Sequence, residues 1–375
     1  IFVKVETDQP GLYGWGEATL EGMTRSVVGA VDDFASQMLL GEDPTRIEHL
    51  YQMMYRQSFW RVGIVGLSAI SGIEQALWDI LGKSLNRPVY QLLGVAVREK
   101  VRMYTHLGGG DSKAVYESYD RKDPQVFLER ALQVVDQGYT AVKMLITPPT
   151  ESLNSLQVYN YSAEIMETVR RGVGDKIDIM LDCHGRHFPA NGLEFCRIMA
   201  PYKPYFIEEP LPPENIDALA ELRKASPVPI ATGERLVTRF GFREIFEKQA
   251  CHIIQPDLSH CGGLWEAKKI AAMAETYYLG VAPHNPMGPV ANAVALHFAL
   301  STPNFLIQED MLLDVPWRWE IVKHSLKREN GYWLKSDAPG LGIDIDEAAA
   351  KKHPFKQNAL PMLRAKAADG AILDW

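Results

Sequence analysis

The chain has 375 residues, 46% of them hydrophobic, which supplies a sizeable core and argues against disorder; at about 150 residues per domain it holds one large domain or two ordinary ones. Its 39 Lys+Arg against 47 Asp+Glu give a net charge of −8 with no basic block, so nucleic acid is not an expected partner. Apolar stretches are broken by Gly, His or charge before the roughly 20 residues of a membrane span, and no secretory signal is visible, although the chain begins at Ile1 rather than Met and that absence carries little weight.

The first hundred residues read as an α/β unit. Residues 2–7 alternate like a strand, Gln9-Pro10-Gly11 is turn chemistry, and Tyr13-Gly14-Trp15-Gly16-Glu17 reads as the returning strand. Helical patterns follow near 26–40, from Pro44 with Asp43 as cap, and near 66–81, where Ile70, Ile73, Leu77 and Ile80 share a face. Arg87-Pro88 ends this unit. Eight short β-branched runs then alternate with helical stretches: 101–105, 141–146, 177–181, 205–207, 228–231, 252–255, 279–282 and 305–307. Helical patterns at 124–137, 162–171, 218–224, 239–248 and 264–278 lie between them. Alternating β and α elements imply a parallel sheet, and eight repeats suggest a closed barrel. Gly108-Gly109-Gly110 lacks the GxGxxG spacing of a doubly wound nucleotide site. The polar stretch 111–123 reads as a loop that moves, and the tail after Gln308 is expected to leave the barrel and pack against the first unit. Cys183, Cys196, Cys251 and Cys261 form no CxxC pair and are too sparse for a disulfide scaffold, so buried thiols in a reducing cytoplasm are expected.

Polar residues recur at the ends of these runs: Lys143, Asp182, Glu208, Glu234, Asp257, His284 and Glu309. From Asp182 the steps are 26, 26, 23, 27 and 25 residues, each one strand plus one helix. In a βα barrel such ends share one mouth. Three carboxylates brought together there, Asp182, Glu208 and Glu234, repel one another unless a cation neutralises them, and oxygen-only ligands select a hard ion such as Mg²⁺. Asp257 sits one strand before His284 and is placed to orient its imidazole. His184, two residues beyond Asp182, shares its face if the strand continues. One histidine on each side of a metal-bound substrate suits a base and an acid. His187 and His260 are weaker candidates, and His49, His106, His252, His297, His324 and His353 are expected to be structural.

The motifs Trp15-Gly16-Glu17, Ala76-Leu77-Trp78-Asp79, Asp182-Cys183-His184-Gly185-Arg186, Ile207-Glu208-Glu209-Pro210, Gly233-Glu234-Arg235, Gln255-Pro256-Asp257, Pro283-His284 and Gln308-Glu309 resemble the enolase superfamily, mandelate racemase subgroup. The stretches 182–186, 255–263 and 283–289, with the closing Asp369-Gly370 and Trp375, are most similar to its galactonate dehydratases. The resemblance implies a modified (β/α)7β TIM barrel over 98–311, an α+β N-terminal capping domain over 1–97, and a C-terminal segment over 312–375 that returns to the cap. It implies cap loops near 20–25 and 58–64 closing over the substrate, with Trp60 and Arg61 as substrate contacts beside Phe59. It implies Mg²⁺, or Mn²⁺ in its place, on Asp182, Glu208 and Glu234, binding a sugar-acid carboxylate. His284, set by Asp257, then removes the adjacent proton; Glu309, if protonated, and Lys143 stabilise the enediolate; His184 protonates the departing 3-hydroxyl, giving a 2-keto-3-deoxy acid. A homo-oligomer, an octamer among the candidates, follows from the same resemblance.

One departure favours dehydration over racemisation. Racemases of the subgroup carry Lys-x-Lys at the second barrel strand, and here the positions are Lys143-Met144-Leu145. The segments 110–123 and 147–157 also differ from the galactonate dehydratase pattern, leaving mannonate, gluconate, arabinonate or an aldarate open as substrates. A zinc amidohydrolase would need His-x-His at the first strand, where Tyr104-Thr105-His106 supplies one. A non-catalytic sugar-acid binder would lack part of this set, and a scaffold would not need the strand-end acids.

Overall fold

The computed structural model describes residues 1–108, 123–312, 315–324, 326–356 and 365–374. Of the loop expected over 111–123, all but residue 123 lies outside the described residues, as does the closing Trp375.

Strands β1 (Phe2–Glu6) and β2 (Tyr13–Glu17) form an antiparallel hairpin in the register Phe2↔Glu17, turned at Gly11 with φ of 81°. Helix α1 (Thr24–Phe34) passes into a π-helical turn over Ala35–Leu39 where a single helix was expected. The next helix, α2 (Ile47–Gln57), starts later than the Asp43 signal predicts. The Asp43 carboxylate instead accepts from the Thr45 N–H (2.9 Å) and hydroxyl (2.7 Å), closing a local turn before the helix. Helix α3 (Gly63–Ser84) has the length and apolarity of a membrane span, yet 83% of that window is buried in the fold. It is the core helix of this unit, and the short α4 (Val89–Leu92) follows it.

Hairpin and helix meet through glycines. A Cβ built on Gly16 would overlap the carbonyl of Gly72, and one on Gly14 that of Ala76. Gly16→Val is therefore expected to cost about 2 kcal/mol or more, read as a lower thermal unfolding midpoint. An unchanged midpoint would mean that the hairpin and α3 part without penalty.

Eight parallel strands follow: β3 (Lys100–His106), β4 (Ala141–Leu145), β5 (Asp178–Asp182), β6 (Ile207–Glu208), β7 (Ile230–Thr232), β8 (Ile253–Ile254), β9 (Gly280–Val281) and β10 (Gln308–Asp310). Between them run α5 (Pro124–Asp136), α6 (Leu156–Val173), α7 (Pro189–Met199), α8 (Ile216–Ala225), α9 (Thr238–Lys248), α10 (Leu264–Thr276) and α11 (Pro289–Ser301). Strands β3 to β9 pair in chain order, β10 returns to β3 with Glu309↔Tyr104, and Val281 of β9 bridges Phe305 just ahead of β10. One buried side chain from each strand or its flanking residue fills the interior: Tyr104, Ala141, Met180, Phe206, Ala231, Ile253, Ala282 and Ile307. This is the (β/α)7β barrel that the motif resemblance implies.

The last strand lies three residues later than the expected run at 305–307, because its ladder uses the polar Gln308, Glu309 and Asp310. Beyond it, β11 (Arg328–Glu329) and β12 (Tyr332–Leu334) add an antiparallel edge to the start of β3, with Trp333↔Val101. The chain then reaches the first unit. Asp344 accepts from Trp15 Nε1 at 2.7 Å and Tyr13 Oη at 3.1 Å, and Asp79 accepts from the Leu341 N–H at 2.8 Å. Lys4 pairs with Glu347 at the head of α12 (Glu347–Ala350).

Candidate active site

Parallel strands that end in step bring their last residues to one rim. The carboxylate oxygens of Asp182, Glu208 and Glu234 come within 4.8 Å of one another. The Lys143 ammonium, on β4, sits among them: 3.0 Å from Glu208, 2.7 Å from Glu309 and 3.7 Å from Asp182. One lysine thus faces three carboxylates, with Glu234 completing the acid cluster. Burial, reinforced by the neighbouring acids against Lys143, pushes the Glu208 carboxyl up to about 8, and Glu234 also moves up. For Lys143 burial acts downward, and the carboxylates outweigh it, so it stays charged. Glu208 Oε1 is buried with no hydrogen-bond partner. A hard divalent cation fits this set: oxygen donors, excess negative charge and an unsatisfied buried oxygen.

His284 follows β9. Its Nδ1–H donates to Asp257 Oδ2 at 2.8 Å, which leaves Nε2 facing the acids, 3.3 Å from Glu234. Burial alone would raise the Asp257 carboxyl, but His260, His284 and the Ser259 N–H hold it low, so it remains an ionised acceptor. His184 reaches the site by a different route from the one expected. β5 stops at Asp182, and His184 sits in a turn with φ of 49°, its N–H donating to Asp182 Oδ1 at 2.9 Å. That turn, rather than strand alternation, brings its Nε2 to 3.3 Å from Asp182 Oδ2. β5 and β9 stand four strands apart among eight, so the two imidazoles face each other across the mouth.

Glu309 would stabilise the enediolate if protonated, and its surroundings act against that form. Burial acts to raise its carboxyl, yet Lys143 and His284 beside it, and the Asn285 N–H donating at 2.8 Å, bring it below its usual range. It is a paired carboxylate.

A cavity of about 440 Å³ opens over these groups, lined by Lys143, Asp182, His184, Glu234, His284 and Glu309. The first unit contributes Leu20, Glu21 and Ile64 to its wall. Trp60 and Arg61 are not among the lining residues. Trp60 is 88% exposed, and the Arg61 guanidinium closes the end of α2 by donating to the carbonyls of Arg56 (2.9 Å) and Tyr55 (3.3 Å). Loops 20–25 and 58–64 therefore reach the cavity through apolar residues and Glu21, not through this pair.

Glu17, of the motif Trp15-Gly16-Glu17, and Glu74, two residues ahead of the motif Ala76–Asp79, have matching roles that the sequence did not reveal. Glu17 accepts from the Gly288 (2.7 Å) and Ala291 (3.0 Å) N–H groups at the start of α11. Glu74 does the same at the start of α10, with Leu264 (2.8 Å) and Trp265 (2.9 Å). Both acids fasten the first unit to the loops that carry His284 and Asp257. Sequence reasoning missed the Glu209–Arg235 pair (2.7 Å), which ties the β6 and β7 ends together. The signal was an acid and an arginine, each adjacent to an expected ligand. His106 and His260 line the cavity as well.

Residues 1–94 match the mandelate racemase/muconate lactonizing enzyme N-terminal domain, and residues 126–349 match the enolase C-terminal domain-like family. The chain is 39% identical to a D-galactonate dehydratase of Ralstonia pickettii and 37% identical to one of Cronobacter sakazakii, over 100% of this chain and 96% of each relative. Among solved structures, a mandelate racemase/muconate lactonizing enzyme from Sulfitobacter sp. superposes with a TM-score of 0.88 at 36% identity, covering 96% of this chain and 91% of that one. The cap-like hairpin unit, the (β/α)7β barrel and these full-length matches together show that the chain belongs to the mandelate racemase/muconate lactonizing enzyme family of the enolase superfamily.

Proposed function

We propose that this hydro-lyase dehydrates an aldonic acid of galactonate type, using Mg²⁺ held by Asp182, Glu208 and Glu234. The observation that carries the reading is the pair of histidines facing each other across a three-carboxylate cluster in one cavity. Bound there, Mg²⁺, or Mn²⁺ in its place, supplies a Lewis acid for the substrate carboxylate.

The chain's own groups then divide the work. His284 Nε2, its other nitrogen fixed by Asp257, takes the C2 proton. Lys143 offsets the negative charge that develops on the carboxylate side, and Glu309 holds Lys143 and the Asn285 amide in place. His184 gives a proton to the 3-hydroxyl as the C3–O bond breaks. The C2–H electrons form the C2–C3 double bond, water leaves, and the enol becomes a 2-keto-3-deoxy acid. Leu145 fills the position where a second lysine base would serve racemisation. A homo-oligomer in the cytoplasm completes the proposal; the four cysteines are buried free thiols.

The test is a screen of the purified protein with Mg²⁺ against aldonic and aldaric acids, detecting 2-keto-3-deoxy products. Turnover of galactonate that chelator stops and Mg²⁺ restores is the expected result. Turnover of mannonate, gluconate or arabinonate alone would move the substrate. C2 proton exchange without dehydration would replace the reading with a racemase or epimerase.

A further inference from the structure

The base depends on one hydrogen bond between two loops, His284 Nδ1–H to Asp257 Oδ2 at 2.8 Å. The strands beneath do not fix it. β8 and β9 pair as Ile253↔Gly280 and Ile254↔Val281, and the Ala282 N–H donates to the Ile254 carbonyl at 3.0 Å. Asp257 and His284 both lie beyond that ladder. Among the described residues no later backbone hydrogen bond joins the two loops.

The first unit joins them instead. Helix α3 turns one face to the loop after β8. Ser68 Oγ meets the His260 ring at 2.8 Å, Ser71 Oγ accepts from the Gly262 N–H at 3.0 Å, and Gln75 Nε2 donates to the Leu258 carbonyl at 3.0 Å. Positions 68, 71 and 75 are spaced by three and four, as one helix face requires. Gln75 also reaches toward the other loop. Its Oε1 accepts from the Glu17 N–H at 2.9 Å, and the Glu17 carboxylate holds the Gly288 and Ala291 N–H groups just past His284. The amide has one orientation: a carbonyl only accepts and an N–H only donates, so Nε2 faces Leu258 and Oε1 faces Glu17. Gln75 is wholly buried. Gly16, beside Glu17, packs on the Gly72 carbonyl with no room for a Cβ, so β2 sits on α3 without slack.

We propose that Gln75 is a positioning residue: its amide spans the two loops and sets the separation of Asp257 and His284. This rests on His284 being the base in the reading above. Removing the amide strands a carbonyl and an N–H in a buried interface. The loops then relax independently, and a misplacement of about 1 Å costs up to about 10²-fold in rate. Asp182, Glu208 and Glu234 stand at the ends of β5, β6 and β7, which the bridge does not touch, so substrate anchoring is unaffected.

The test compares the wild type with Gln75→Met, which keeps the length and loses both hydrogen bonds, and with Gln75→Glu, whose carboxylate keeps only the acceptor for Glu17. Lys268→Met is the control. Lys268 donates to Ser301 and Thr302 at the far end of α11, so its loss weakens packing without touching the bridge. In protein labelled with nitrogen-15 histidine, without substrate, the His284 Nδ1–H resonance is the one lost in His284→Asn. It should shift or broaden in both Gln75 variants and stay in place in Lys268→Met. With the aldonate found in the screen and saturating Mg²⁺, kcat for dehydration and C2 exchange should fall together by about tenfold or more in Gln75→Met, while KM and the Mg²⁺ dependence hold. An unmoved resonance in Gln75→Met, an equal loss of kcat in Lys268→Met, or a loss carried wholly by KM would overturn the proposal and leave a structural contact. If Gln75→Met does not fold, Gln75→Glu is read by the same outcomes. If the wild type dehydrates no aldonate, the functional reading falls, while the resonance still decides whether Gln75 holds the Asp257–His284 pair.

Discussion

His284→Asn stops exchange of the substrate's C2 proton with solvent and lowers dehydration by about 10²–10⁴-fold, the usual worth of a positioned general base. The argument is geometric. Nδ1 is committed to Asp257 at 2.8 Å, so only Nε2 is presented to the cavity, and Asn offers no basic nitrogen there. Its amide still donates to the buried Asp257, which limits the structural damage. His184→Asn supplies the contrast. With the base intact, C2 exchange should continue while loss of the 3-hydroxyl slows, because the two imidazoles stand on opposite sides of the mouth. Exchange at the wild-type rate in His284→Asn would transfer the base role elsewhere. Loss of exchange in both variants would mean that the histidines act as one unit.

The second large effect concerns the acids. Glu234→Gln should leave the metal-free protein as stable as the wild type or more so, because it removes one of three mutually repelling carboxylates in the cluster. Added Mg²⁺ should then separate the two proteins. A cation that binds only the native state stabilises it by about 2.7 kcal/mol at a hundredfold excess over its Kd. The wild type should show that rise in unfolding midpoint, and Glu234→Gln should show little of it at the same concentration. The readout needs no substrate, so it separates ligation from catalysis. An identical Mg²⁺ titration in both proteins would remove Glu234 from the ligand set.

Reading by period alone has a physical limit in this fold. α5 and α10 have one polar and one apolar side, and their extents were legible to within a residue or two. Every residue of α11 is buried, so it has no polar face and leaves no 3.6-residue rhythm to find. Turns set a further limit: His184 occupies the left-handed region, where the alternation of strand side chains no longer applies. Trp60 and Arg61 show a third, since a basic-aromatic pair near a cavity can serve its own helix end.

What the sequence by itself determined is the order of strands and helices and the acid or histidine at each strand end. Both are local: periodicity sets the element, and spacing of 23 to 27 residues sets the rim. Tertiary structure alone decided which nitrogen of His284 faces the acids and which groups neutralise Glu309. Those depend on contacts between β3, β4, β9 and β10, which meet only when the barrel closes. At 3 Å, the placement of a single hydrogen separates a structural imidazole from a functional one.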